Sequence, residues 1–418
     1  MRTFEVPEFY RSPIISRVKA KRKALDARKQ DFSPSLLDFG SVQFVLARHF
    51  GFCFGVENAI EIAYRALDEN PGKRIFLLSQ MIHNPEVNAD LEQRGMRFLM
   101  DTSGHALTPL DDLNSDDVVL IPAFGTTLEI ESRLKQIGVD VERYDTTCPF
   151  VEKVWKRAAK LAAEAFTIVI HGKPSHEETR ATFSHACNSG QAIVIKDMDE
   201  AILLSEFITG QRSVHGFFEA FGGRTSEGFD PAIHLEQVGV VNQTTMLASE
   251  TQAISDRIKL AVEMREQQKD PASFANTRDT LCYATNDNQQ ATQAALDLGE
   301  ADLAVVVGGY NSSNTSHLVE LCENHLPTFF VRNEREFQPD GKLKHFNWRS
   351  GILQETDDPW PEPDATHVPR ILITSGASCP DATVDRVMHA LLERYPQHKN
   401  VDDVLMDFEQ RMVSPEAN

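Results

Sequence analysis

Short runs of β-branched and aliphatic residues alternate along most of the chain with segments of helical spacing, and this alternation limits the possible folds most strongly. Each run is followed by a polar or Gly/Pro turn and then by apolar residues at helical intervals. The predicted strands are Val42–Ala47, Ile75–Leu78, Val118–Pro122, Thr167–Ile170, Val238–Val241, Leu303–Val307 and Ile371–Thr374. Short strands alternating with helices predict an α/β protein with mostly parallel sheets.

The predicted domain order follows from length and from the even spacing of three cysteines. A chain of 418 residues is long enough for two or three domains, and Cys53, Cys148 and Cys282 divide it into units of similar length. Two stretches without a clean period, 207–231 and 333–369, are expected to be surface insertions. We predict a basic N-terminal extension (1–41), three similar small α/β domains around a common centre (42–147, 148–281, 282–395) and a polar C-terminal tail (396–418).

Charge and cysteine content exclude several classes of function. The 42 Lys and Arg residues stand against 62 Asp and Glu residues, a formal net charge of −20. This balance argues against non-specific binding to nucleic acids or anionic membranes. No apolar run approaches the roughly 18 residues that a membrane-spanning helix needs. Six cysteines are too few for a disulfide scaffold, which favours a reducing compartment such as the cytoplasm.

The N-terminus has the opposite charge. Eight basic residues and one acid, Asp26, lie between Arg11 and Lys29, and no apolar stretch marks a secretory signal. This composition favours a solvated, partly disordered tail. The alternative is an arm that docks an acidic partner.

Cys53, Cys148 and Cys282 share a sequence context, because each lies in a turn just before a predicted helix. A thiol at a helix N-terminus is stabilised as the thiolate, the form that binds metals. Three such thiolates favour either an iron–sulfur cluster with one open iron or a zinc ion with an open position. The alternative is that they are core thiols, as expected for Cys187, Cys322 and Cys379.

Polar residues follow five of the predicted strands. They form the segments Ile82-His83-Asn84-Pro85, Ser175-His176-Glu177-Glu178-Thr179, Asn242-Gln243-Thr244-Thr245, Asn311-Ser312-Ser313-Asn314 and Ser375-Gly376-Ala377-Ser378. Ligands of α/β proteins bind beyond the carboxyl ends of strands, and hydroxyls, an amide and histidines suit a phosphate or diphosphate. Each Ser or Asn alone is also typical of a helix cap. Glu178, beside His176, is a candidate proton donor or relay.

These motifs together resemble the LytB/IspH family, the 4-hydroxy-3-methylbut-2-enyl diphosphate reductases. The matching segments, in order, are Gly51-Phe-Cys-Phe-Gly-Val, His83-Asn-Pro-Glu-Val, Asp145-Thr-Thr-Cys-Pro, Gln243-Thr-Thr, Cys282-Tyr-Ala-Thr, Asn311-Ser-Ser-Asn and Gly376-Ala-Ser. The resemblance implies three α/β domains around a 4Fe–4S cluster held by Cys53, Cys148 and Cys282, with one open iron. It also implies reductive dehydroxylation to isopentenyl and dimethylallyl diphosphate, the last step of the non-mevalonate (MEP) route to isoprenoids.

The resemblance further assigns site residues. Diphosphate binding would fall to His83, His176, Ser312, Ser313, Asn314 and Ser378. Thr244 would bind near the substrate hydroxyl, and Glu178, with His176 nearby, would supply or relay a proton. Two positions depart from the usual pattern: Phe124 replaces a histidine, as in the plant and cyanobacterial branch, and Glu177 stands where many members have proline.

The chain has no flavin or nicotinamide fingerprint, so the electrons must come from a partner. The resemblance implies a ferredoxin or flavodoxin, and therefore a cytoplasmic location, or the plastid stroma in a plastid-bearing organism. A basic patch for such an acidic donor is predicted at Lys153, Lys156, Arg157 and Lys160, although these residues also fit a solvated helix face. Two other functions compete: a zinc-dependent hydrolase of a phosphorylated metabolite, and a non-catalytic protein that binds one.

Overall fold

The structure, a computed structural model, describes residues 4–266, 274–275 and 280–412. Its helices are α1 (Pro13–Leu25), α2 (Phe54–Glu69), α3 (Pro85–Gln93), α4 (Leu128–Ile137), α5 (Pro149–Ala163), α6 (Glu177–Ser189), α7 (Met198–Ile208), α8 (Phe217–Phe221), α9 (Pro231–His234), α10 (Ala248–Glu266), α11 (Tyr283–Asp297), α12 (Ser313–Glu323), α13 (Asp381–Leu392) and α14 (Val401–Arg411).

The strands are β1 (Ser35–Asp38), β2 (Gln43–Leu46), β3 (Ile75–Leu77), β4 (Met96–Phe98), β5 (Val118–Leu120), β6 (Thr167–His171), β7 (Ala192–Ile195), β8 (Val238–Asn242), β9 (Phe274–Ala275), β10 (Leu303–Val307), β11 (Thr328–Val331), β12 (Leu343–Asn347), β13 (Ile352–Thr356) and β14 (Arg370–Ser375). All seven predicted strands are present, within one or two residues at each end. The predicted α/β class is confirmed.

The described residues form two compact units. The first comprises residues up to Glu57, His83–Pro85, and residues from Tyr283 onward; the second comprises Asn58–Ile82 and Glu86–Cys282. The division of the chain at residues 42, 148 and 282 stays a prediction.

The first unit is built on a five-stranded sheet in the order β1-β2-β14-β10-β11. All pairs are parallel except β1 with β2, and Ile371 of β14 lies opposite both Leu303 and Phe44. The three central strands β2, β14 and β10 are buried except at Gln43 and Arg370, as expected for a parallel sheet covered on both faces. This sheet joins β2, near the start of the chain, to strands that lie more than 250 residues later.

The second unit contains two smaller parallel sheets. Their strand orders are β4-β3-β5 and β7-β6-β8-β9. Each of β3, β5, β6, β7 and β8 is buried along its whole length. Polar loops that follow the carboxyl ends of these strands therefore collect at one edge of each sheet.

The described part of the N-terminal extension is not a solvated tail, so that prediction is wrong. Ser12 caps α1, because its hydroxyl accepts a hydrogen bond from the Ile15 N–H at 3.0 Å. Ile15 and Val18 are buried in the main core of the first unit. Its charges are also paired within that unit, as with Arg17 and Glu409 at 2.9 Å. The many basic residues of α1 surround a narrow apolar stripe that anchors the helix.

Two other expectations need correction. The stretch 207–231 was expected on the surface, yet Phe217 and Phe221 are fully buried, and the ring of Phe217 stacks on that of Phe229 at 5.5 Å. Within the predicted C-terminal tail, α14 buries Phe408 in the core of the first unit; residues 413–418 lie outside the described residues. The stretch 333–369 contains the hairpin β12–β13, whose second strand is largely exposed, as expected.

No helix in the described part of the chain is long and apolar enough to cross a membrane.

Candidate active site

Each of the three cysteines predicted to be ligands stands directly before a helix. The helices that follow Cys53, Cys148 and Cys282 are α2, α5 and α11, and each begins at the next residue. None of the three forms a disulfide among the described residues, and all three are half-buried. The predicted placement of these cysteines at helix N-termini is confirmed.

The backbone N–H of each cysteine donates a hydrogen bond to a carbonyl oxygen in a loop that follows a strand. The N···O distances are 3.1 Å from Cys53 to Ala377, 3.0 Å from Cys148 to Ala123 and 3.1 Å from Cys282 to Thr244. These acceptors follow β14, β5 and β8. The same backbone contact thus fixes all three cysteines, a repetition that three unrelated core thiols do not require.

The remaining cysteines lie elsewhere in the cores. Cys322 and Cys379 are fully buried, as predicted, and Cys187 is half-buried against a core cluster of the second unit. None of these three occupies a residue directly before a helix. The local geometry therefore separates them from Cys53, Cys148 and Cys282.

Within the second unit, Cys148 lies in an environment that opposes negative charge. The pKa of its thiol is raised to about 11, mainly by burial, and the charges of Cys282 and Glu178 act in the same direction. The N–H groups of Phe150 and Val151, at the start of α5, act in the opposite direction but are outweighed. Two thiols and a carboxyl that repel one another in this way are chemically suited to a cationic group placed among them.

No three His, Cys, Asp or Glu side chains of the described residues form a group that could hold a single metal ion. A hydrolytic zinc site of three protein ligands is therefore without support in the described chain.

Glu178 lies in the first turn of α6 and is almost completely buried, with 1% of its surface exposed. The Thr244 N–H donates to Oε1 at 2.6 Å, and the Thr244 hydroxyl donates to Oε2 at 2.9 Å. Burial raises the pKa of Glu178 to about 7, although both hydrogen bonds lower it. A carboxyl with a pKa near neutrality can both hold and release a proton.

His176 is the N-cap of α6, and its Nδ1 accepts a hydrogen bond from the Glu178 N–H at 3.2 Å. Because Nδ1 is the acceptor, Nε2 carries the proton of the neutral ring. The ring of Phe124 packs edge to face against His176, with centroids 5.7 Å apart. Phe124 cannot donate a hydrogen bond, but it fixes the orientation of the histidine that can.

Sequence reasoning missed the roles of two neighbouring residues. Glu177 is a second buried carboxyl, and burial raises its pKa to about 7, although a hydrogen bond from the Ser79 hydroxyl lowers it. Gln243 orders the adjoining loop, since its Oε1 accepts from the Lys173 N–H at 3.1 Å and the Thr179 hydroxyl at 3.0 Å. Nothing in the local sequence distinguishes Gln243 from a substrate ligand; only its partners do.

The first unit gathers the other predicted polar residues around His83. Asn311 Nδ2 lies 3.3 Å from His83 Nδ1, and the Ser378 hydroxyl donates to the His83 carbonyl at 3.1 Å. A Cβ on Gly309 would lie 2.4 Å from that carbonyl oxygen, so this position admits only glycine. Three strand-end loops therefore meet here, and the loop of Ser378 also binds the Cys53 N–H through Ala377.

Two buried groups in the same region have no hydrogen-bond partner among the described residues. They are the Ser313 hydroxyl and the Asn314 side-chain amide nitrogen, on residues that are 3% exposed. Asn314 uses its Oδ1 to accept from the Ala377 N–H at 2.9 Å, which leaves the NH₂ group as an unused donor. Buried donors without partners are rare in folded proteins and are typical of ligand sites.

Ser312 behaves differently from its two neighbours. Its hydroxyl caps α12, accepting from the Thr315 N–H at 3.3 Å and from the Thr315 hydroxyl at 2.9 Å. The cap still leaves the hydroxyl hydrogen of Ser312 available to an acceptor. Ser312, Ser313 and Asn314 thus present donors at the N-terminus of α12, where the helix dipole favours an anion.

The fold and these two groups of residues define an α/β protein with cysteine turns and donor-rich polar loops at the carboxyl ends of its strands. Residues 44–392 match the family model described as LytB protein. The chain therefore belongs to the LytB family.

Curated relatives and solved structures agree with this assignment. The 4-hydroxy-3-methylbut-2-enyl diphosphate reductase of Synechococcus sp. (strain RCC307) is 39% identical over 355 residues, which cover 85% of this chain and 84% of the relative. The enzyme of the same name from Prochlorococcus marinus (strain MIT 9313) is 36% identical over 86% of this chain and 87% of the relative. A solved structure of the Plasmodium falciparum E-1-hydroxy-2-methyl-but-2-enyl-4-diphosphate reductase shares the fold, with a TM-score of 0.60, 20% identity and coverage of 88% of this chain and 98% of the other.

Proposed function

We propose that this protein converts 4-hydroxy-3-methylbut-2-enyl diphosphate to isopentenyl and dimethylallyl diphosphate at the end of the non-mevalonate route. The reaction adds two electrons and two protons, breaks the allylic C–O bond and releases water. The relatives bearing this activity in their names cover most of the chain. The observation that carries the proposal is the repeated turn that fixes Cys53, Cys148 and Cys282 by their backbone N–H groups.

The three cysteines would hold a 4Fe–4S cluster with one open iron. When bound, the cluster supplies electrons and a Lewis-acidic position for the substrate hydroxyl. Each cysteine turn leaves its thiol at the positive end of a helix, a favourable position for a thiolate ligand.

The diphosphate is assigned to the loops around His83 in the first unit. Ser313 and Asn314 bring buried donors that have no partner among the described residues, and the substrate's oxygens would satisfy them. Ser312, Ser378 and His83 add further donors, and the family resemblance also assigns His176 to the diphosphate. Holding the diphosphate at many points orients the allylic end, which is remote from it.

Glu178 is assigned the proton that allows the hydroxyl to leave as water. Its two hydrogen bonds from Thr244 fix the carboxyl plane, and its burial keeps the proton from exchanging freely with solvent. Thr244 therefore positions Glu178, and the family resemblance also assigns its hydroxyl to the substrate hydroxyl. His176 Nδ1 fixes the backbone of Glu178 from the other side.

Electrons would come from a ferredoxin or flavodoxin that docks on α5, the helix that starts beside Cys148. Lys153, Lys156, Arg157 and Lys160 lie on this helix, although Lys156 pairs with Glu152 at 2.8 Å and Lys160 with Glu164 at 3.8 Å. Both pairs are largely exposed and therefore weak, so a stronger acidic partner can replace them. Reversing the four charges should slow reduction by ferredoxin and leave turnover with a small chemical reductant unchanged; equal losses would exclude this docking site.

The proposed location is the cytoplasm, or the plastid stroma if the organism has plastids. The six cysteines form no disulfide among the described residues, a pattern typical of proteins in a reducing compartment.

The deciding experiment measures iron, sulfide and zinc together with the visible spectrum of protein purified without oxygen. Cys53→Ser, Cys148→Ser and Cys282→Ser are compared with Cys187→Ser, a control that is also half-buried. We expect a brown wild type with one cluster, the loss of that cluster in the first three variants only, and reductase activity that follows the cluster. A protein that binds zinc, or remains colourless after reconstitution with iron and sulfide, would overturn the proposal.

A further inference from the structure

The first unit contains a cavity whose lining does not include the loops around His83. Its volume is about 370 Å³, within the range of small-ligand pockets. One wall comes from the N-terminal extension, with Tyr10, Lys23 and Lys29, and another from the turn before Cys53, with Arg48 and His49. None of these residues except Cys53 takes part in the proposed reaction.

Arg48 is the most unusual residue in this cavity. Only 5% of its side chain is exposed, yet Nε and Nη2 have no hydrogen-bond partner among the described residues. Its ion pair with Asp26 spans 4.0 Å, beyond hydrogen-bond reach, and the same Asp26 oxygen accepts from the Asp31 N–H at 2.9 Å. A buried guanidinium without hydrogen bonds is costly, because it has lost water and gained nothing comparable.

Two further residues of the cavity have the same property. His49 Nε2 and Asn288 Nδ2 are buried and have no hydrogen-bond partner within the described chain. His49 is 8% exposed and Asn288 is 4% exposed. With Arg48, four nitrogen atoms on three side chains are left for a ligand that is rich in oxygen.

The charges around the cavity favour an anion. Arg11, Lys19, Lys23, Lys29 and Arg48 line it, against Glu57, Asp287 and Asp381. Asp381 is already paired with Lys19 at 2.7 Å, and burial raises the pKa values of Glu57 and Asp287. The pKa of His49 is lowered to about 4, first by burial and then by the positive charges of Arg48 and Lys29. The local field is therefore positive.

We propose that this cavity binds the phosphate or diphosphate group of a small anion through Arg48, His49 and Asn288. A phosphoryl group offers three oxygens to these four nitrogen atoms, against two in a carboxylate, and it suits the planar guanidinium. The cavity has the volume of a small-ligand pocket and only 5% of the Arg48 side chain is exposed, which favours a small molecule as the occupant. Its binding would tie the N-terminal extension to the turn that carries Cys53.

The test counts binding sites for inorganic diphosphate on the full-length protein by equilibrium dialysis. We expect two sites in the wild type. Asn314→Ala should lose the site assigned to the substrate, and Arg48→Met should weaken the other by about 10- to 100-fold, as expected for charge-assisted hydrogen bonds. Arg133→Met, a substitution of an exposed arginine in the second unit, is the matched control and should leave both sites intact.

A second variant covers the chance that Arg48→Met does not fold. Lys23 and Lys29 are exposed, so their joint replacement by Met should preserve the fold and weaken the new site several-fold. The proposal is overturned if the wild type has only one diphosphate site and Asn314→Ala loses it. It is also overturned if the double lysine variant, and Arg48→Met where that protein folds, bind diphosphate at the new site as tightly as wild type. If Asn314→Ala keeps two sites while Arg48→Met keeps one, the substrate-site assignment fails and the new site stands.

The Asn314→Ala variant, which should keep only the new site, is then used to identify the class of anion that binds there. Orthophosphate, inorganic diphosphate and dimethylallyl diphosphate are compared at the site that depends on Arg48. Tighter binding of dimethylallyl diphosphate assigns a phosphorylated metabolite, whereas equal or tighter binding of an inorganic ion assigns that ion.

Discussion

Two polar regions of the molecule meet their hydrogen-bonding needs in opposite ways. In the second unit, both oxygens of Glu178 accept hydrogen bonds from Thr244, so this carboxyl is satisfied without a ligand. In the first unit, Ser313 and Asn314 keep buried donors without partners among the described residues. A buried donor without a partner costs about 1–3 kcal/mol, which a ligand can return. The comparison separates a region built to hold a proton from one built to bind an anion.

The largest expected effect is on the proton-holding region. Glu178→Gln keeps the shape and the bonds from Thr244 to one oxygen but removes the transferable proton. We expect kcat to fall about 100- to 1,000-fold with KM changed little, as is typical for the loss of a general acid. Steady-state kinetics on cluster-loaded protein measures this effect. An unchanged kcat with a raised KM would instead make Glu178 a binding residue and remove the contrast between the regions.

Glu177, the carboxyl next to Glu178, should make the stability of the protein depend on pH. Burial raises the pKa of Glu177 from 4.5 to about 7 in the folded protein, so the folded state binds a proton that the unfolded state has released between these values. The stability that this proton provides is complete below pH 4.5 and is lost as pH rises to about 7, a difference of about 3 kcal/mol.

Glu177→Gln removes this titration. Relative to wild type, its free energy of unfolding should therefore improve as pH rises from 5 to 8. Urea unfolding at four pH values provides the measurement, and Glu142→Gln, an exposed site in the same unit, is the control. Parallel curves for wild type and Glu177→Gln would show that burial does not hold this carboxyl neutral.

Thr244→Val tests how much the hydrogen bond from the Thr244 hydroxyl to Glu178 stabilises the folded protein. The hydroxyl donor to Oε2 is lost and Glu178 stays buried, so we expect about 1–2 kcal/mol less stability. Thr244→Ser restores the hydroxyl and should recover most of the loss. Equal stability of the Val and Ser variants would contradict the importance of that bond.

The smallest effect concerns the anion-binding region, where adjacent serines provide a matched pair. Ser313→Ala removes an unpartnered hydroxyl and its burial cost, so the substrate-free protein should lose no stability while KM rises about tenfold. Ser312→Ala removes the cap of α12 and should cost about 1 kcal/mol of stability. Thermal unfolding of both variants, together with their KM values, tests the distinction. A large loss of stability in Ser313→Ala would mean that its hydroxyl already has a structural role.

Local patterns in the sequence predicted the strands well, because a buried parallel strand such as Leu303–Val307 is a continuous β-branched and aliphatic run. They also placed the cysteines before helices, since Pro149 and the helical spacing after it mark the start of α5. The polar loops at strand ends were found for the same reason.

The errors arose where structure depends on distant partners. The apolar stripe of Ile14, Ile15 and Val18 was hidden among basic residues, and its burial depends on a core made by residues hundreds of positions away. Phe217 and Phe221 looked like parts of an irregular insertion because their neighbours in sequence show no period. The acceptors of the cysteine N–H groups could not be predicted either, because a carbonyl oxygen leaves no trace in the residue type.

That last contact has a consequence for how the protein can change. The acceptors at Ala377, Ala123 and Thr244 contribute only their main-chain oxygen to the cysteines, so this contact does not depend on the type of side chain at positions 377 and 123. Mutational drift, or deliberate engineering, can therefore alter the surroundings of Cys53 and Cys148 while the contact is kept, with bulk limited at position 123, which is only 7% exposed. At position 244 that freedom is absent, because the side chain there also holds Glu178. The residues that anchor Cys53 and Cys148 can thus vary in side chain, whereas Thr244 must keep both its backbone contact with Cys282 and its side-chain contact with Glu178.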